Sequence, residues 1–81
     1  MDTRLAQIGI IVENRDAAAA LNRTLGEYGD YIVGRMGLPI KERKVNVISL
    51  VVIAPQDTIN TLTGKIGSIG GVSAKTLFSK V

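Results

Sequence analysis

Cysteine, histidine and tryptophan are all missing from this chain of 81 residues. Without cysteine there is neither a disulfide nor thiolate chemistry, and cysteine usage says nothing about redox compartment. Without histidine the commonest metal ligand and the usual general base near neutral pH are gone. Nickel, copper and zinc lose their preferred ligands. An oxygen-only site from Asp and Glu is the remaining metal option, and those residues are scattered along the chain. No metal and no cofactor is therefore expected. Aromatic residues are limited to Tyr28, Tyr31 and Phe78, too few to stack a series of bases. The net charge of +3 is mild, and no helix-turn-helix is readable, so no direct nucleic-acid partner is expected. The run from Val45 to Ala54 falls well short of the roughly 20 apolar residues that span a bilayer. Leu5 to Val12 is too short and wrongly flanked for a signal peptide. The chain reads as soluble and cytoplasmic, with no membrane partner.

What is present is a composition that folds: 46% hydrophobic and 21% charged residues, outside the disordered range. One small domain over residues 1–81 is expected. A domain of this size buries only about 60–65% of the surface its unfolded chain exposes, so a subunit interface would help it. "RLAQIGIIVEN" is rich in β-branched residues and reads as a buried strand. "NRDAAAALNRTLGEYG" reads as a helix, with Asn14 as cap and Ala18, Leu21, Leu25 and Tyr28 at helical spacing. Gly29 suits a left-handed C-terminal residue, and Gly26 suggests close backbone packing. "YIVGRMGLPI" is a second strand whose Pro39 favours an edge strand or a strand end. A short polar connection, "KERK", leads by a hairpin into "VNVISLVVIA". Pro55 and Asp57 open a second helix with Ile59, Leu62 and Ile66 on one face. Gly70–Gly71 forms a turn before a last alternating strand through Val72, Ala74, Thr76 and Phe78. The order β-α-β-β-α-β is the ferredoxin-like pattern: α+β, with a four-stranded antiparallel sheet and both helices on one face. The first and third strands, the most apolar, should be central.

Two helices leave one sheet face uncovered. Ile8, Ile10, Val12, Ile48, Leu50 and Val52 are assigned to the covered face. Gln7, Gly9, Ile11, Val33, Arg35, Val47, Ser49, Val51 and Leu77 are assigned to the other. A half-solvated antiparallel sheet should turn polar residues outward, and this one does not. Each fully buried Val, Leu or Ile contributes roughly 1.5–3 kcal/mol, so leaving these apolar side chains wet forgoes roughly 8–15 kcal/mol. That equals the whole stability of an ordinary domain, about 5–15 kcal/mol. A symmetric copy is the simplest cover, and Ile11, Val33, Val47, Ser49 and Val51 are the expected oligomer face of a dimer or tetramer.

Four motifs could carry function. "LTGKIGSIGG" lacks the spacing of a phosphate loop, because Lys65 is followed by Ile66 and the segment ends a helix; helix termination explains it. "KERK" reads as a solvated hairpin tip with Glu42 partly balancing the charge. In "ENRDA" the amides open a helix, but Asp16 already supplies the negative charge there, so capping is the simpler reading. In "GRMG", glycines within a strand mark a bulge or a close backbone approach. Arg35 would supply a charge for a carboxylate or phosphate at a subunit boundary. Asn14, Arg15, Gly34, Arg35 and Gly37 are the candidate ligand or interface residues.

"IGIIVENRD", "EYGDYIVGRMGLP", "VNVISLVV" and "LTGKIGSIGGV" together resemble the small regulators of the iron-only hydrogenase system, over nearly the whole chain. The resemblance implies a ferredoxin-like fold related to ACT domains and to the C-terminal regulatory domain of the nickel-responsive repressor. Such domains associate through their sheets and often bind small effectors at the boundaries. Nickel sensing does not carry over, since the repressor's site uses histidine and cysteine. Nor is there a DNA-binding segment. The resemblance implies a non-catalytic oligomeric module that senses a small ligand or binds a protein partner. The alternative is a purely structural accessory subunit without a ligand. No paired carboxylates or activated nucleophile point to an enzyme.

Overall fold

Alternation of buried and exposed residues along four segments builds the sheet. A computed structural model describes residues 2–81. β1 (Arg4–Val12) leads through a 3-10 turn at Arg15–Ala17 into α1 (Ala18–Glu27). A second 3-10 turn at Gly29–Tyr31 enters β2 (Ile32–Ile40), and a hairpin returns as β3 (Val45–Ala54). α2 (Gln56–Gly67) and β4 (Val72–Phe78) complete the chain. The strand order is β2-β3-β1-β4 and every pairing is antiparallel. This is the ferredoxin-like arrangement, with β1 and β3 central and Pro39 on an edge strand.

Ile8, Ile10 and Val12 of β1 and Ile48, Leu50 and Val52 of β3 are buried beneath the helices. Ile59, Leu62 and Ile66 of α2 meet them on the expected face, and α1 contributes Leu21 and Leu25. Ala17 rather than Ala18 extends the α1 stripe inward, since Ala17 is buried and Ala18 is exposed. Asn14 caps the 3-10 turn rather than α1 itself: its Oδ1 accepts from the Asp16 amide at 3.0 Å, and the residue at the N-cap of α1 is Ala17, which has no capping side chain. Two glycine expectations fail. Gly29 does not adopt a left-handed conformation, because the chain turns into a 3-10 turn instead. A Cβ at Gly26 would meet nothing within 4 Å, so no backbone packs against it.

The hairpin between β2 and β3 turns on Lys41 to Lys44. The Arg43 amide donates to the Ile40 carbonyl at 3.2 Å and the Lys44 amide to the Lys41 carbonyl at 3.3 Å. Closing the turn puts Lys44 at φ 55°, where a Cβ is unfavourable. Lys44→Gly should therefore stabilise the fold by about 0.5–1 kcal/mol, the relief of strain being partly offset by the freer unfolded chain. A higher urea midpoint at fixed protein concentration, with unchanged slope, is the expected readout. An unchanged midpoint would place no strain at this turn.

Candidate functional site

The arginine that looked outward from the open face lies on the other side of the sheet. Ile32 pairs with Val52, but the register then slips, and Gly34 rather than Val33 stands opposite Val51. One extra residue in a strand reverses the facing of everything beyond it. Arg35 consequently pairs with Leu50, Gly37 with Ile48 and Pro39 with Asn46, all on the helix-covered side. There Arg35 Nη2 donates to Asn22 Oδ1 of α1 at 3.1 Å. The bulge itself was legible in "VGRMG"; its consequence for the facing of Arg35 was not.

The same slip brings Met36 and Leu38 onto the open face in place of Arg35. These two are the residues that sequence reading missed, and their shared parity with Gly34 was the available signal. Met36 is 70% exposed and Leu38 59%, beside Val33 at 64% and Leu77 at 69%. Leu5, Ile11, Val47, Val51 and Ile53 continue the same apolar surface. Ile11, Val33, Val47, Ser49 and Val51 stand on this uncovered side of the sheet by strand register. Two of its polar side chains meet: Gln7 Nε2 on β1 donates to Ser49 Oγ on β3 at 2.8 Å, while Ser73 and Lys75 of β4 stand on the same face opposite Ile11 and Gly9. Gly9, opposite Ser49 and Lys75, leaves a shallow hollow of about 300 Å3 next to Ile11 and Val47.

The other candidate residues separate into two places. Arg15 stands near the β2–β3 hairpin, lining a cavity of about 230 Å3 with Lys41 and Lys44. Arg35 and Gly37 line a cleft of about 270 Å3 between α1 and β2. Asn14 is occupied by capping and by its contact with the Gly70–Gly71 turn, while Gly34 faces the opposite side of the sheet. Sequence reading did not connect Asn22 and Asn46 with this cleft, because they come from α1 and β3 and only the fold joins them. Among the described residues no three His, Cys, Asp or Glu side chains gather as metal ligands. Nor is any described helix long and apolar enough to cross a membrane.

Residues 4–76 match the family model of the TM1266-like proteins, iron-only hydrogenase system regulators by name. The chain belongs to this family. The uncharacterized TM1266 protein of Thermotoga maritima is 34% identical over 98% of this chain and 100% of its own, with a TM-score of 0.93. More distant likenesses show the fold alone. The C-terminal domain of the MgtC protein from Mycobacterium tuberculosis aligns at 9% identity and a TM-score of 0.75, over 95% of this chain and 88% of that one. The regulatory subunit of aspartate kinase from Thermus flavus aligns at 22% identity and 0.59, over 93% of this chain and 52% of that one. No functionally curated protein matches. Membership of the TM1266-like family agrees with the resemblance drawn from "YGDYIVGRMGLP" and "LTGKIG". Of those segments, the first contains the bulge that sorts β2 between the two surfaces.

Proposed function

We propose that this chain is a non-catalytic regulatory module of the iron-only hydrogenase system, an oligomer joined through its open sheet face that responds to a small ligand or a protein partner. The open face carries the proposal. Four strands about 4.8 Å apart, at about 3.3 Å per residue, present roughly 500 Å2 in projection and more as accessible surface. Stable interfaces bury about 800 Å2 per partner, so one such face against a copy of itself is of the right size. Apolar patches of this extent are seldom left to water. The Gln7–Ser49 hydrogen bond lowers the cost of covering the face, because each of these side chains already has one partner there. A two-fold arrangement meets itself with no further design, each copy offering the same patch.

Native mass spectrometry of the untagged protein, before and after mild denaturation, tests this reading. An even-numbered oligomer carrying a releasable small mass is the expected result. A ligand-free oligomer would favour the accessory-subunit reading. A monomer would overturn the assembly and the role given to the open face.

A further inference from the structure

The helix-covered side of the sheet is incomplete near the β2–β3 hairpin. β2 turns the small Gly37 and Pro39 to that side past Arg35, so a cleft opens between α1 and the strand, walled by Val12, Leu21 and Ile48. The cavity lined by Arg15, Lys41 and Lys44 adjoins it, Val12, Pro39 and Asn46 being common to both. Together they fall within the range of about 300–1,000 Å3 usual for small-ligand sites. One end is apolar and the other cationic. No Asp or Glu lines either cavity, so the positive charge there is not neutralised from within the lining. A concavity lined by one sign of charge concentrates counter-ions. Arg35, at the apolar end, spends a donor on the neutral amide of Asn22 and keeps the rest of its guanidinium for a ligand.

We propose that this groove binds a small organic phosphate, its ring or apolar body over Gly37 and its phosphate among Arg15, Lys41 and Lys44. A single carboxylate would need one of those cations. A phosphate monoester carries about −1.5 to −2 charges near neutral pH and three acceptor oxygens, matching all of them. The side chains of Asn22 and Asn46 also line the cleft, and their amides could supply donors and acceptors to a heteroaromatic edge. This inference rests on the ligand-sensing half of the proposed function and not on the assembly.

The test is an NMR titration of the full-length, isotope-labelled chain with adenosine 5′-monophosphate and phenyl phosphate, against adenosine and inorganic phosphate separately. The joined probes should bind at least about tenfold more tightly than either fragment, shifting the amides of Gly37, Lys44 and Asn46. Gly37→Leu is the decisive variant. A Cβ at Gly37 would meet only Ile48 Cγ1, at 3.9 Å, so β2 keeps its place while the longer side chain fills the cleft. It should erase the tenfold advantage and leave inorganic phosphate binding unchanged. Arg15→Ala with Lys41→Ala should weaken inorganic phosphate and the joined probes alike. Joined probes no tighter than inorganic phosphate, shifts confined to another surface, or full affinity in Gly37→Leu would each overturn the proposal. Should Gly37→Leu fail to fold, Arg35→Ala takes its place, with the same loss of the joined probes' advantage expected. Binding by a monomer would refute the assembly alone, and an oligomer blind to both joined probes would refute the groove alone.

Discussion

On the proposed assembly through the open face, Val47→Asp combined with Val51→Asp should convert the protein to a monomer. Both residues sit on β3, an interior strand, and project from the middle of the open face. Each is partly exposed in the isolated chain, so a carboxylate at either position can reach water and the fold should survive. Within a sheet-to-sheet interface the same carboxylates would lose that water, and the face offers a single lysine per copy, Lys75 of β4, against the four carboxylates that two copies would bring. A buried unpaired charge costs several kcal/mol, so the pair should raise the dissociation constant at least about a thousandfold. Sedimentation equilibrium reads the mass, and circular dichroism confirms that the strands persist. Asn60→Asp with Thr61→Asp, which adds the same two negative charges on the exposed side of α2, should leave the mass alone. A double Val→Asp variant that kept its mass would mean the apolar face lies outside the interface.

Gly71→Ala should be the most damaging single-methyl substitution in the chain. Gly71 holds φ at +82°, a conformation that costs an L-residue about 1–2 kcal/mol. Its added Cβ would come within 2.5 Å of Asn14 Cβ and 3.3 Å of the Asn14 amide nitrogen. Neither partner can yield cheaply. Asn14 caps the 3-10 turn that leads into α1, and the Glu13 amide donates to the Gly71 carbonyl at 2.7 Å, pinning the two loops together. Overpacking of this kind adds about 1–3 kcal/mol, so a loss of about 2–5 kcal/mol is expected from a total of about 5–15. Gly70→Ala is the matched control: nothing lies within 4 Å of its Cβ position and its φ is not positive. Urea unfolding of both variants at one protein concentration separates them. Equal midpoints would show that the Asn14–Gly71 contact yields without cost.

These two predictions differ in what made them possible. That Gly70–Gly71 is a turn follows from composition, since glycine pairs punctuate strands. That Gly71 and not Gly70 is irreplaceable follows from the loop of residues 13–14 passing beside it, a contact between positions distant in sequence. The open face was legible from Ile11, Val47 and Val51 because alternation assigns faces once a strand is known. It failed at β2. Val33 and Gly34 share the place of one residue, and past that point the alternation of "RMGLPI" runs in the opposite sense. Met36 and Leu38 therefore belong to the apolar surface and Arg35 to the cleft under α1. A bulge can be suspected from a glycine in a strand, but its position depends on which pairing buries more.

Local chemistry in the sequence alone determined the element order, the central placement of β1 and β3, the edge placement of β2, and an apolar sheet face that the helices do not cover. Those depend on period-two and helical patterning, on Pro39 and Pro55, and on the rule that helices in this topology share one side. Only the tertiary structure decided which way Arg35 points, that Arg15, Lys41 and Lys44 line one cavity, and that Asn22 and Asn46 complete the groove beside it. Each of these is a meeting of residues from separate elements. The pairing register and the seating of α1 over β2 decide such meetings, and both are settled by burial across the whole sheet rather than by any neighbouring residue.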